Sequence, residues 1–429
     1  MALIDLGDVR EESAPEPPRR PPRTVGRPAR VAAALVLTLV SLAGAAPVAV
    51  AASFTVPARS TTTAFLQGDR LFLLDPADAP AGRGGQLTAY AVPAVGDGPL
   101  EPLWRTPLPA AGTDGAVFVH RDVVLVTGGS VEAGPRRALA FDLATGRLRW
   151  ERPGHVAPAG DALLAVENES AEPGRVSSVD PATGRVDWSV ATPVEATTYR
   201  FRPDGVDRIV ASPSSGQVEV WDARSGVRLR SADLRPGELP VHQRSQSVDE
   251  LLLMLRDNAA LVTAYGLDEL DRRWEIRLGL VAYFAACGPL LCAYGQTGGM
   301  WALDRATGNV RWRATRWHET LIEREGRMLV RGPGSGAQDS FAVLDTATGR
   351  AVTDLGTWQV SGRYPAGDRP IGVRPADGDR LFVAELDVAG GRTRVLEVLA
   401  GVTGDCQAGP RLLLCRRSGG GFGIWRLNR

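Results

Sequence analysis

The sequence predicts an all-β fold, a β-propeller of about eight four-stranded blades (seven to nine), preceded by one transmembrane helix. Two observations carry the propeller. A strand–turn–strand phrase recurs between residues 142 and 391, and a period near 40 residues with several strands per repeat is that of a propeller blade. No stretch beyond residue 60 combines 3.6-residue periodicity with helical length. The apolar run 251–255 is too short for a helix and falls on a strand position of the repeat.

The phrase is clearest at 300–312, M-W-A-L-D-R-A-T-G-N-V-R-W. Residues 300–303 are a short apolar run that reads as a buried strand. Asp304 ends it, because its carboxylate accepts backbone N–H groups just ahead in an Asx-type turn. Gly308 supplies the positive φ that closes the hairpin. Residues 309–312 then return as a strand, with Val310 and Trp312 expected on one face. The same frame occurs at Asp142, Gly146 and Trp150, and at Asp180, Gly184 and Trp188. The Trp is lost at Asp222 with Gly226, Asp345 with Gly349 and Asp387 with Gly391, whereas Gly266 with Trp274 keeps only the Trp. From Asp142 to Asp387, with Gly266 standing in once, the spacings are 38, 42, 44, 38, 41 and 42 residues. Third strands end near nine positions: Ala91, Asp142, Asp180, Asp222, Gly266, Asp304, Asp345, Asp387 and Asn428. Eight blades are expected on taking one irregular unit as incomplete, since propellers usually have about four to eight.

Before the repeats, residues 1–30 are polar and proline-rich and are expected to be a disordered cytoplasmic tail. Residues 31–52 carry no charge and are long enough to span roughly 30 Å of hydrocarbon as a helix. Arginines directly before this run and none directly after place the N-terminus in the cytoplasm and residues 53–429 outside. Ala49-Val50-Ala51 resembles a signal-cleavage site, but a leader of that length exceeds the usual ~15–30 residues, so an uncleaved membrane anchor is the reading. Formal net charge is zero, and all 49 basic residues are Arg. Nothing in that balance favours nucleic acid as a partner, and the Arg bias fits a GC-rich genome.

Two features concern how the ring is held. Residues 53–59 form a strand candidate outside every repeat, while the chain stops where a third strand ends. The N-terminal segment is therefore expected to pair with 421–427 and cover the open edge. Cys287 and Cys292 bracket Gly288-Pro289, and Cys406 and Cys415 bracket Gly409-Pro410. Outside the membrane four cysteines tend to pair, and these two pairs, each directly opposed across a first hairpin, are the expected disulfides. The alternative is four buried thiols.

Trp104, Trp150, Trp188, Trp274 and Trp312 share one repeat position and are expected to pack between neighbouring blades. Trp221, Trp301 and Trp425 on third strands are also expected in the core. Trp317 and Trp358, in connections between units, are the candidates for a binding surface.

Units of D-x-A-T-G-x-x-x-W spaced by about 40 residues resemble the repeat of quinoprotein dehydrogenases, which bind pyrroloquinoline quinone. They resemble equally the non-enzymatic propellers related to them, such as the outer-membrane assembly lipoprotein. The likeness covers residues from about 60 to 429 and implies the fold. The enzymes typically use adjacent disulfide-bonded cysteines, a calcium ion held by carboxylate and amide groups, and an Asp base. None of the four cysteines here is adjacent to another, and Asp377-Gly378-Asp379 reads as a hairpin turn. The quinone with calcium is therefore not expected.

Other chemistry is sparse. His120, His155, His242 and His318 lack metal-ligand spacing. The stretch 418–423 is glycine-rich but precedes no helix that would make it a phosphate loop. Asn168-Glu169-Ser170 is a glycosylation sequon read as chance. The expectation is a membrane-anchored extracytoplasmic propeller that is not an enzyme. It would bind or scaffold an unknown protein or cell-envelope ligand, with a quinoprotein-type dehydrogenase and a ligand-sensing ectodomain as alternatives.

Overall fold

The computed structural model describes Val31 and residues 53–427 except 78–83, 110–114, 129–135, 168–173, 194–195, 214, 235–243, 337, 362–368 and 377–378. The expected tail and anchor (Val31 apart), the sequon, His242 and Asp377-Gly378 lie outside the described residues. The chain divides into two units, Met1–Ala49 and Val50–Arg429, and every described strand lies in the second.

Each repeat folds into an antiparallel four-stranded meander, because three apolar strands of about six residues are separated by turns too short for any other connection. Blade 1 is Thr63–Gln67, Arg70–Asp75, Gly85–Ala91 and Pro102–Leu108. Blades 2 to 7 begin with the inner strands Ala116–His120, His155–Ala159, Thr197–Arg202, Arg244–Val248, Val281–Cys287 and Glu319–Arg324. The ninth begins with Val402–Ala408. The described strands form nine blades, not eight. The eighth has no separate first strand. The long strand Ala351–Ser361 pairs with blade 7 as far as Trp358. From Gln359 it pairs instead with Ile371–Pro375, so one strand serves two blades and completes the irregular unit.

Nine hydrophobic clusters fill the spaces between successive blades. Phe72, Trp104 and Phe141 lie in the first, between blades 1 and 2. Leu71, Leu73, Leu412 and Ile424 lie in the last, between blades 9 and 1. Nine interfaces for nine blades make a closed ring.

At five of the nine interfaces a tryptophan set on a glycine joins one blade to the next. In the 304–308 turn the Asp304 carboxylate accepts from Ala306 N (3.1 Å), Thr307 N (3.0 Å) and Thr307 Oγ1 (3.0 Å). Gly308 N donates to Asp304 O at 2.8 Å. Trp274, on the outer strand of blade 5, lies flat against this turn and donates its indole N–H to Arg305 O at 2.8 Å. A Cβ on Gly308 would stand 2.5 Å from the Trp274 ring. Trp104 meets Gly146, Trp150 meets Gly184, Trp188 meets Gly226 and Trp312 meets Gly349 in the same way. The glycine thus answers two needs, a positive φ and room for the preceding blade's indole.

The return strand differs from simple alternation. Leu303 faces Val310 and Ala302 faces Trp312, with a bulge between them at Arg311. Val310 and Trp312 therefore occupy successive ladder positions on opposite faces. Val310 is exposed and Trp312 buried. The same shift recurs at Trp150, Trp188 and Trp274, so the bulge is the device that aims the indole at the next blade. In blade 4, where the Trp is missing, the following turn changes. Arg230 stands at the Trp position of blade 4, and Leu270 (φ 56°) stands where the next turn would have its glycine. Leu270 is buried with Leu267 and Tyr265 in place of the indole. Trp221 and Trp425 are buried, and Trp301 is half-buried.

The ring shuts as expected. Ser53–Val56 pairs antiparallel with Phe422–Arg426, Ser53 opposite Trp425 and Val56 opposite Phe422. The edge of this closing strand is itself covered, because Gly98–Pro99 lies parallel to it and Leu100 N donates to Thr55 O at 3.0 Å.

Two outcomes follow from these contacts. A chain beginning at Thr61 lacks the closing strand and should melt lower and aggregate, whereas one beginning at Ala52 should not; equal melting temperatures would mean the strand adds nothing. Gly308→Ala should cost about 2–3 kcal/mol by urea unfolding, as a strained core change does. Gly68→Ala, with a similar φ of 64° and nothing within 4 Å of its Cβ, should cost about 1 kcal/mol, the strain alone. Equal costs would remove the indole from the account.

Candidate functional site

In a meander the first-to-second and third-to-fourth turns fall at the same end of the blade. Main-chain bonds tie them together here. Leu143 N donates to Asp122 O (2.9 Å), Leu267 N to Glu250 O (2.8 Å) and Thr346 N to Gly326 O (2.9 Å). In these blades one end carries two rows of short, mutually bonded turns. The sequence-derived residues Asp142, Gly146, Asp180, Gly184, Asp304 and Gly308 lie in third-to-fourth turns, where their role is the blade-to-blade lock.

Both cysteine pairs lie in first-to-second hairpins. Cys287 is bonded to Cys292 with Cα atoms 5.8 Å apart, and Cys406 to Cys415 with Cα atoms 4.1 Å apart. The first bridge is not directly opposed: Cys287 faces Leu290 and Cys292 faces Ala285, so it crosses the hairpin diagonally. The two-residue loop Gly288-Pro289 sets that register.

On the same face, the hairpins of blades 2, 3 and 4 line an open cavity of about 830 Å³, within the size range of ligand sites. Its floor is rigid. Ala159 pairs with Gly205, fusing the sheets of blades 3 and 4 at one rung, and Gly160 N donates to Asp204 O at 2.9 Å. Only glycine fits at 205, where φ is 118° and a Cβ would stand 2.3 Å from Pro158 O. The walls carry His120, Asp161, Phe201, Arg202, Asp204 and Arg224. Arg224 is placed by the repeat lock itself, since its carbonyl accepts the Trp188 indole N–H at 2.8 Å. Its guanidinium then meets Asp204 at 2.7 Å. Arg121 pairs with Asp161 and holds that carboxyl below its ordinary range.

Phe201 is the exception in this wall. The residue is 66% exposed, between two tethered arginines. Arg200 is buried, with both ends of its guanidinium on Asp207 (2.8 and 2.7 Å) and a third contact to Glu250 at 2.7 Å. A bidentate pair of this kind fixes direction as well as charge. Burial works against the Asp207 carboxylate, but the Arg200 bonds outweigh it and hold the group below its ordinary range. Arg208 continues the network to Asp268 (3.0 Å) and Asp222 (3.1 Å). The strand that presents Phe201 is thus pinned from behind, and burial pushes the neighbouring Tyr199 phenol up to about 12.

Phe201 has no sequence signal beyond its position, because an apolar residue on an inner strand reads as core. Conversely, the tryptophans selected in sequence as a binding surface are interior. Trp317 is 6% and Trp358 2% exposed. Arg316 and Arg374 cover their rings at 4.5 Å, and Trp358 also donates to Leu355 O at 2.8 Å. Trp317 sits in a short connection packed against the sheets, and Trp358 lies within the strand that blades 7 and 8 share.

The donor set for a quinone and its calcium is not met by these residues. Neither disulfide joins adjacent cysteines, and among the described residues no three His, Cys, Asp or Glu groups converge. The stretch 418–423 connects two strands of blade 9, with Arg417 N on Gly421 O at 3.1 Å.

The fold and its lock define a β-propeller of PQQ-type repeats. The chain belongs to the family of the outer membrane protein assembly factor BamB, whose model matches residues 100–266 and 258–403. No curated protein matches the chain in sequence. Among solved structures it is similar to BamB from Moraxella catarrhalis, at 13% identity and a TM-score of 0.42 over 88% of this chain and 99% of that one. It is similar too to the computationally designed protein Ika8 (15%, TM-score 0.48, 74% and 98%). A third is the dihydro-heme d1 dehydrogenase NirN in complex with DHE (14%, TM-score 0.46, 70% and 67%).

The turn aspartates give the fold an acid limit. Hydrogen bonds from Arg311, then from Thr307 N and Oγ1, lower the Asp304 carboxyl to about 2, against ~3.9 in an unfolded chain. A carboxyl depressed on folding stabilises above the unfolded value, and that contribution is lost as pH falls through the folded value. Wild type should therefore be more stable than Asp304→Asn at pH 7, and the gap should close between about pH 5 and pH 2. Melting curves that stay parallel across this window would remove Asp304 from the acid response.

Proposed function

We propose that this chain is a membrane-anchored extracytoplasmic protein-binding scaffold that works by docking a polypeptide partner rather than by catalysis, and needs no cofactor. Residues 31–52 would be the anchor and residues 1–30 the cytoplasmic tail. The docking surface is the turn face, centred on the cavity of blades 2 to 4. Membership of a family described as an outer membrane protein assembly factor supports a role beside other proteins.

The observation that carries the reading is Phe201. A large aromatic residue two-thirds exposed, on a strand held rigid by Arg200, beside paired but accessible charges, has the make-up of a binding hot spot. Aromatic and arginine anchors around a preformed pocket bind polypeptide with little ordering cost. Asp161, Asp204 and Arg224 present both signs of charge around it, which suits a partner segment with an apolar side chain between polar neighbours.

The test is cross-linking from intact cells with the full chain. Wild type should capture a discrete protein partner from the membrane fraction, and Phe201→Glu should reduce that capture tenfold or more while leaving the melting temperature within about 1 °C, as an exposed site allows. Undiminished capture by Phe201→Glu would move the docking surface elsewhere. Recovery of the wild-type chain in the soluble fraction would end the anchored reading.

A further inference from the structure

We propose that the Cys406–Cys415 disulfide is a redox-sensitive latch on the seam where the ring closes, between blades 9 and 1. The two bridges of this protein are not equivalent. Cys287–Cys292 crosses a regular two-residue hairpin whose ladder is otherwise intact at that end. Cys406 lies in a bulge. The ladder runs from Gly404 opposite Arg416 directly to Gln407 opposite Leu414, so Asp405 and Cys406 together face the single residue Cys415. Gly404 (φ 119°) and Asp405 (φ 45°) both take left-handed backbone to make room. A bulge forfeits ladder hydrogen bonds, and here the covalent link stands in for them.

The residues next in chain after each cysteine both reach across the seam with their side chains. Gln407 extends its amide to the inner strand of blade 1. Its Nε2 donates to Ala64 O at 2.5 Å, and its Oε1 accepts from Leu66 N at 3.2 Å. The side chain thus copies the two bonds of a β-ladder rung. Arg416, after Cys415, donates to Thr62 O at 2.6 Å and Arg59 O at 3.1 Å. It also stacks over Phe422, which pairs with the closing strand at Val56. Gln246 makes a comparable bracket on Phe284 between blades 5 and 6 (2.6 and 2.8 Å). That one springs from a strand paired rung by rung, with no bulge and no bridge.

The link therefore fixes the direction of both seam-crossing side chains. Opening it is a two-electron exchange with a dithiol reductant. One reductant sulfur bonds to a cysteine sulfur as the Cys406–Cys415 bond breaks. The second sulfur then displaces that cysteine, leaving two protein thiols and a cyclic reductant disulfide. With the bulge released, Gln407 and Arg416 lose their fixed aim, and the seam is the interface that loosens first.

Hydrogen exchange of the full folded chain, before and after a pulse of dithiol, reads this directly. Amides of 62–67 and of Ser53–Val56 should exchange at least tenfold faster after reduction, while Arg327–Gly332 in blade 7 stays protected. Cys406→Ser with Cys415→Ser should show the same loosened seam without reductant, and Cys287→Ser with Cys292→Ser should not. If that first variant does not fold, the pulse on the folded wild type decides alone. An unchanged seam after both bridges are shown reduced, or an equal loss of protection in every blade, overturns the latch.

Discussion

The contact on which this molecule depends is the indole lying on the glycine turn of the next blade. A four-stranded meander has two apolar faces and cannot bury either alone, so each blade is stable only against its neighbours. The Trp–Gly contact sets the separation and rotation of those neighbours at the same place in five of the nine interfaces. It needs three things together: a turn whose carboxylate satisfies its own N–H groups, a residue without Cβ at its close, and a bulge that swings the indole forward. Leu270 shows what replaces the contact when the indole is absent. The turn keeps its left-handed residue but gains a side chain, because the ring that excluded one is gone.

The same lock builds the candidate site. Trp188 fixes the 222–226 turn, and with it the arginine that borders the cavity. The inner hairpins are joined by main-chain bonds, which leaves little freedom in the walls. A surface made this way is preorganised, so an exposed phenylalanine on it can contribute to binding without a prior ordering cost.

Closure is the weak point of any ring, because the first and last units lie at opposite ends of the chain. Here three devices meet at one seam: a strand borrowed from the other end of the chain, side chains that copy ladder bonds, and a covalent bridge across a bulge. The bridge ties strands within blade 9, yet its effect is felt in blade 1, since direction is passed from each cysteine to the residue beside it.

The sequence by itself determined the architecture. A 40-residue period, Asp and Gly at fixed offsets and alternating apolar strands are local signals, legible because turn chemistry and strand pattern act over a few residues. Even the closing strand was readable, as 53–59 was the segment left without a unit. The tertiary structure decided what depends on distant neighbours. Ala351–Ser361 serves two blades because its halves meet different partners, which turns eight into nine. Trp317 and Trp358 look like surface residues in sequence but are covered by arginines and by the sheets beside them. Phe201 reads as core in sequence and stands in water because three hairpins part around it. Exposure belongs to packing across the ring, and a pattern of two-residue period cannot record it.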